Sequence, residues 1–460
     1  MTSLEKLPVA IIGAGPIGLA AAAHLAERGL AFKLYEAGAS VGANILSWGH
    51  VRVFTTWEQN VDTASRRLLE RRGWKLKRPD ALPTGEELVR DYLQPLADLP
   101  ELSSHIETGA RIVAISRAGL DKVTSKGRET KPFELRVETA KGERRVDLAR
   151  AVIDASGTWQ NPNPLGASGL KIQGEEAFVD RIAYGMPDVL GAGRADYAGR
   201  RVAVVGGGYS AINVLLDLIR LAETEPGTKA VWVVRGTNMN RIYGGGSADE
   251  LEARGALGTK LKQLVAQGQI ELVTGFSATS LREHADSLQL IGNTSGGERA
   301  LAPVDQIIVA TGQRPNLEIT RELRLELDPW LEGVKALGPL IDPNLHSCGS
   351  VPPHGHRETS HPEPGFYTIG VKSYGRAPTF LLLTGYEQAR SVAAALAGDM
   401  KAADDVHLVL PETGICSTDS AADAVGCCGG PAPVESNACC VADVVAKSAG
   451  KSGCGCGEAA

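Results

Sequence analysis

Cysteine is absent from the first 347 residues of this 460-residue chain. All 8 cysteines lie at or after Cys348, and 6 of them fall between Cys427 and Cys456. That distribution excludes a disulfide scaffold for the main body. It also excludes a redox dithiol there, and no CxxC occurs anywhere in the chain. Basic excess is missing too: 48 Lys+Arg face 54 Asp+Glu, a net charge of −6. Neither nucleic acid nor an anionic lipid surface is an expected partner. A long uninterrupted apolar run is also lacking. Leu7 to Ala26 is 20 residues without Lys, Arg, Asp or Glu, but Gly13, Gly15, Pro16 and Gly18 break its middle. It reads as strand, turn and helix, the helix running from Leu19 to Arg28 before Gly29, with no basic leader and no cleavage site. The expectation is a cytoplasmic protein with reduced thiols and no membrane span. With 43% hydrophobic and 22% charged residues, composition is that of an ordinary globular protein. The length fits two or three domains.

Two glycine turns carry the chemistry. Gly13-Ala-Gly15-Pro16-Ile-Gly18 follows the apolar strand Val9–Ile12, and the next strand, Phe32–Tyr35, ends at Glu36. In such a turn the first glycine permits a tight bend and the second lets backbone approach a pyrophosphate. The third lets helix and strand pack closely, and the helix N-terminus faces the phosphates. An acid at the end of the second strand accepts hydrogen bonds from an adenosine ribose, the role expected of Glu36. The second turn, Gly206-Gly207-Gly208-Tyr209-Ser210-Ala211, follows Arg201–Val205, with Ala211 in the place of the third glycine. The strand after it, 230–234, ends in Arg235 rather than an acid. Arginine there pairs with a 2′-phosphate, which favours NADPH over NADH, and Arg241 stands close enough in sequence to assist.

Two further apolar strands end in small-residue turns, Ala151 to Gly157 and Gln306 to Gly312. They resemble the paired crossing strands of flavin- and nicotinamide-dependent oxidoreductases with two dinucleotide-binding domains. Over roughly residues 8–400 the chain resembles flavin-containing monooxygenases and pyridine-nucleotide disulfide oxidoreductases. It is most similar to flavin monooxygenases encoded beside arsenic-resistance genes, on the stretches Trp48 to Phe54, Leu82 to Gly85, Asp154 to Trp159, Ser373 to Phe380 and Thr384 to Gln388, and on the cysteine tail. The resemblance implies an α/β fold of two Rossmann-like domains, FAD in the first and NADPH in the one inserted into it, with oxygen chemistry at the flavin. The expected division is 1–165 and 316–410 for the FAD domain, 166–315 for the NADPH domain and 411–460 for a disordered, Cys-rich tail. Further cofactor contacts implied are Trp57, Gly157, Thr311, Gly312, Gly370 and Tyr374, the last in a loop expected near the flavin. Two departures stand out. No His lies between His105 and His284, where a His-containing monooxygenase signature usually precedes the second glycine turn. The Gly-Asp that usually holds the flavin's ribityl chain is replaced by Gly370-Val371-Lys372, so a backbone N–H or Lys372 is expected to take over.

Thr84-Gly-Glu-Glu87 reads as a capping box opening a helix through Leu96, with Leu88, Leu93 and Leu96 facing the core. His346, Cys348, His354, His356 and His361 share a Pro/Gly-rich loop. Their spacing matches no closed zinc site, and Cys348 is the one weak candidate for a thiol meeting substrate.

After Pro411 aromatic residues disappear, a composition that cannot pack a core. Cys427-Cys428, Cys439-Cys440 and Cys454-Gly-Cys456 form three close thiol pairs. Adjacent cysteines are poorly placed for a disulfide but suit capture of a soft ion. They resemble the metalloid-binding pairs of arsenic-handling proteins, and arsenite or another thiophilic ion is the expected ligand.

The leading expectation is an NADPH-dependent FAD monooxygenase acting with oxygen on a small molecule in arsenic resistance. Two alternatives stay open. One is a flavin reductase of a thiol-bound metal ion or a tail disulfide; the other is a non-catalytic, metalloid-binding redox sensor. The catalytic group is the flavin itself in the first two readings, and assembly as a homodimer is open.

Overall fold

A computed structural model describes residues 4–344, 351–378 and 380–411. Its strands in chain order begin with β1 (Val9–Ile12), β2 (Phe32–Tyr35), β3 (Ile106–Glu107), β4 (Ala110–Arg117), β5 (Phe133–Thr139), β6 (Arg144–Ala149) and β7 (Ala151–Asp154). There follow β8 (Ile182–Tyr184), β9 (Arg201–Val205), β10 (Lys229–Val233), β11 (Ile270–Val273), β12 (Ser277–His284), β13 (Ser287–Thr294), β14 (Gly297–Ala300), β15 (Gln306–Val309) and β16 (Phe366–Thr368).

Two parallel sheets organise the chain. The first has the order β16-β7-β1-β2-β3 and the second β11-β10-β9-β15-β8. In β1, β7 and β15 all four residues are buried, which is why these strands read as apolar runs rather than alternating ones, broken only by Asp154 at the end of β7 and Gln306 at the start of β15. Two three-stranded antiparallel sheets, β4-β5-β6 and β12-β13-β14, flank them. The fold is therefore the expected α/β arrangement of two nucleotide-type sheets. The last strand, β16, returns to the first sheet beside β7, pairing Thr368 with Asp154.

The helix Pro16–Glu27 starts earlier than Leu19, because Pro16 at its first position has the φ a helix needs and no N–H to waste. Its alanines 20–23 are fully buried and let the helix Leu382–Leu396 pack closely. The strand expected at 230–234 lies one residue earlier, at Lys229–Val233. The capping box at Thr84 is present in both halves: Glu87 N–H donates to Thr84 Oγ1 at 3.2 Å and Thr84 N–H to Glu87 Oε2 at 2.8 Å. The helix behind it is not uniform. It widens into a π-turn at Val89–Leu93 ahead of Gln94–Ala97. Pro95 has no N–H to give to the Asp91 carbonyl four residues back. That carbonyl accepts instead from the Trp74 indole N–H at 3.0 Å. Leu88, Leu93 and Leu96 are buried in the core, as expected.

Two chain crossings join the sheets and run side by side. Asn163 N–H donates to the Gly312 carbonyl at 2.9 Å and Arg314 N–H to that of Asn161 at 3.0 Å. A buried carboxylate, Glu363, ties the segment before β16 to the flanking sheet, meeting Arg117 and Arg128 at 2.7 Å each. Among the described residues, no helix is long and apolar enough to cross a membrane.

Candidate active site

The first glycine turn is built as its sequence requires. Gly13 has φ +97°, and a Cβ there would stand 2.7 Å from the Ala155 carbonyl oxygen. A Cβ on Gly18 would lie 1.9 Å from the Gly13 carbonyl oxygen, so only glycine lets helix and turn approach. Gly15 differs: a Cβ would meet nothing within 4 Å. Its glycine answers to no protein neighbour, and the space in front of it, at the helix N-terminus, suits a pyrophosphate. Glu36 is held ready beside it. Its Oε2 accepts from Ala14 N–H and its Oε1 from Gly38 N–H, both at 2.7 Å. Each carboxylate oxygen keeps a second lone pair for a ribose hydroxyl.

The second turn repeats the pattern. Gly206 has φ +140°, and a Cβ would lie 2.1 Å from the Ala310 carbonyl oxygen. Gly208, which caps the helix Tyr209–Thr224, again faces open space within 4 Å. Ala211 is fully buried, a methyl that fits where the third glycine usually stands. Arg235 is exposed beyond the end of β10, its guanidinium donating to the Ala167 carbonyl at 3.3 Å.

The first turn and the start of the helix behind the second, though not Gly206, Gly207 or Gly208, line one cavity of about 640 Å³. From the first sheet's side its wall includes Gly13, Gly15, Pro16, Glu36, Gly157, Gly370 and Lys372; from the second come Met186, Tyr209, Ser210 and Asn213. The wall between them is aromatic. Trp48 and Trp159 stand 6.2 Å apart and Phe54 and Tyr209 5.2 Å apart, both pairs tilted. The Arg254 guanidinium lies 5.9 Å over the Phe54 ring and is held by a buried ion pair to Asp249 at 2.7 Å. Burial pushes the Tyr209 hydroxyl above its ordinary range, so it stays protonated. Phe54 lies in the loop before the helix Trp57–Asn60 and Tyr209 opens the helix after β9, so this contact links the two sides of the cavity wall.

Some expected contacts lie elsewhere. Trp57 is buried in the core beneath the first sheet's helices and does not line the cavity. Tyr374 is also a core residue, packed edge-on against Phe380 at 5.1 Å and beside His354. Aromatic identity close to a motif does not reveal which side the ring faces. Thr311 and Gly312 sit in the paired crossings, with Thr311 Oγ1 donating to the Asn163 carbonyl at 3.1 Å. The three described histidines of the Pro/Gly-rich loop go to separate partners. His354 Nδ1–H donates to the Pro352 carbonyl at 2.9 Å, and its Nε2 accepts from the Gln388 amide at 3.2 Å. His356 meets Asp404 at 2.8 Å and His361 meets Thr368 at 3.0 Å. Burial lowers the His354 pKa and takes that of His361 down to about 4. Among the described residues no group of three His, Cys, Asp or Glu could hold a metal. His346, Cys348, Cys416 and the six paired tail cysteines, Cys427, Cys428, Cys439, Cys440, Cys454 and Cys456, lie outside the described residues.

Residues 10–333 match the family described as pyridine nucleotide-disulphide oxidoreductase. The chain belongs to this family. The pyridine nucleotide in the family's description agrees with the nucleotide-type glycine turns, and the chain's cofactors are FAD and a pyridine nucleotide. Among curated proteins it is 25% identical over 230 residues to the flavin-containing monooxygenase ustF1 of Aspergillus flavus, covering 47% of this chain and 52% of that one. It is 26% identical over 203 residues to a ferredoxin–NADP reductase of Rickettsia bellii, covering 43% and 49%. The chain thus spans about half the length of these relatives. Its fold is shared with bacillithiol disulfide reductase from Bacillus cereus (TM-score 0.63, 18% identity, 85% of this chain and 99% of that one). It is shared also with the FAD-bound cadaverine monooxygenase DfoA of Erwinia amylovora (TM-score 0.58, 14% identity, 86% and 94%).

Proposed function

We propose that this family member is an NADPH-dependent FAD monooxygenase that acts on a small molecule, and that its role is in arsenic resistance. The observation that carries the reading is the cavity that the first glycine turn shares with Tyr209 and Ser210, the residues that follow the glycines of the second. When bound, FAD supplies the redox chemistry, taking a hydride from NADPH and passing electrons to oxygen. The chain's own residues bind and orient. Gly15 and the N-terminus of Pro16–Glu27 receive the FAD pyrophosphate, and Glu36 its ribose. Gly208 and Ser210 receive the NADPH pyrophosphate, and Arg235 its 2′-phosphate. Trp48, Trp159, Phe54 and Tyr209 exclude water from the space between.

Overall, substrate, O₂, NADPH and a proton would give oxygenated substrate, NADP⁺ and water. The arsenical substrate is supported by the three thiol pairs of the tail, which suit a soft ion. Arsenite prefers three thiolates, so two pairs, or one pair with Cys348, would have to cooperate. The test is to supply a trivalent arsenical with NADPH and oxygen and to follow both NADPH loss and the pentavalent product. One product per NADPH is expected; hydrogen peroxide as the only oxygen product would contradict it. The tail also supports a second reading, reduction of a thiol-bound ion or disulfide by the flavin. Removal of residues 411–460 separates the two, because oxygenation that continues undiminished without the tail rules out the reductase.

A further inference from the structure

The departure at Gly370-Val371-Lys372 gains a meaning from what surrounds it. Lys372 is only 3% exposed, and its Nζ lies 2.7 Å from Oδ2 of the fully buried Asp154. It also donates to Ser156 Oγ at 3.1 Å. Ser156 in turn donates to Asp154 Oδ1 through its hydroxyl at 2.7 Å and its backbone N–H at 3.1 Å. Asp154 therefore accepts three hydrogen bonds that fix it, and it fixes the ammonium. An ammonium has three N–H donors. Two are spent on Asp154 and Ser156, and Lys372 and Ser156 both line the cavity while Asp154 stands behind them.

Sheet order locates this donor along a bound dinucleotide. Glu36, the ribose acceptor, follows β2; the glycine turn for the pyrophosphate follows β1; Asp154 ends β7; and Lys372 lies just past β16. Those strands are consecutive neighbours in the order β16-β7-β1-β2. A dinucleotide with its adenosine over β2 and its diphosphate over β1 must lay its other half over β7 and β16, about 5 Å further per strand.

We propose that Lys372, held by Asp154, is a binding residue for the flavin half of FAD, giving its third N–H to a ribityl or ring oxygen. This rests on the FAD assignment above. A fixed cation there stabilises the electron-rich reduced flavin more than the oxidised one, so it raises the reduction potential.

The test uses full-length apoprotein and the double substitution K372M/D154N, which removes both charges without stranding one. FAD affinity should fall at least tenfold. Affinity for ADP, which lacks the flavin half, should stay within twofold. The two-electron midpoint should drop by about 30 mV for each tenfold by which reduced FAD loses more affinity than oxidised FAD. An ADP loss equal to the FAD loss would overturn the inference, and so would unchanged FAD affinity and potential in a folded double variant. If that variant does not fold, K372Q, which keeps an N–H toward Asp154, is measured the same way with the same expected signs. Failure of the unsubstituted protein to bind FAD would instead sink the cofactor assignment.

Discussion

Three glycines of the first turn look alike in sequence but answer to different neighbours, and this separates their substitutions. Gly18→Ala places a methyl 1.9 Å from a backbone oxygen that cannot move aside, so a loss of more than about 3 kcal/mol is expected in a chemical-denaturation experiment. Gly15→Ala meets no protein atom within 4 Å; the protein should melt within a few degrees of the parent yet purify with little flavin absorbance. Equal melting losses in the two variants would contradict the division. Arg235→Glu should raise the KM for NADPH far more than that for NADH, whereas equal effects on both would remove Arg235 from the 2′-phosphate site. Acid sensitivity follows from His361. Burial holds its folded pKa at about 4, below the ordinary 6.5 of a solvated imidazole. Between these values the unfolded chain binds a proton that the native chain does not, so stability falls as pH drops from about 6.5 to about 4. The loss amounts to roughly 3 kcal/mol at most. His361→Gln should flatten that slope in urea midpoints measured across the window.

At the scale of elements, the contact of Phe54 with Tyr209 couples the segment after the first turn to the first residue of the second nucleotide helix. Phe54→Ala should slow the reduction of bound flavin by NADPH while leaving flavin content and NADPH affinity nearly unchanged. The coupling of Phe54→Ala with Tyr209→Ala should be about 0.5–1.5 kcal/mol in a double-mutant cycle of that rate. Strict additivity would show that the rings merely share a wall. Elements of this kind differ in how far they could be read in advance. β1, β2 and β9 were legible to the residue, since each is a short apolar run closed by a glycine or an acid. The Thr84 capping box was legible because its parts are three residues apart. Its π-turn was not, since Trp74, which relieves Pro95, is remote in sequence. Lys372 stood out as a departure, but its partner Asp154 lies 218 positions away and only the pairing of β7 with β16 brings them together. Phe54 and Tyr209 meet for a similar reason: two sheets must first dock.

For the whole molecule, the proposed function makes the two nucleotide sheets, their paired crossings and the shared cavity one device that would move a hydride from a diffusing cofactor to a resident one. Cysteine is absent throughout that device, so no protein thiol stands in the path through residues 1–347. Any soft-ion chemistry belongs to the chain from Cys348 onward. The central claim, FAD at the first turn and NADPH at the second facing each other across one cavity, is tested most directly by anaerobic stopped-flow. Purified protein carrying one FAD per chain is mixed with a single equivalent of NADPH, and the visible flavin absorbance is followed. The account predicts complete bleaching with NADPH and much slower bleaching with NADH. A protein that binds no flavin, or a bound flavin that NADPH leaves oxidised, would contradict it.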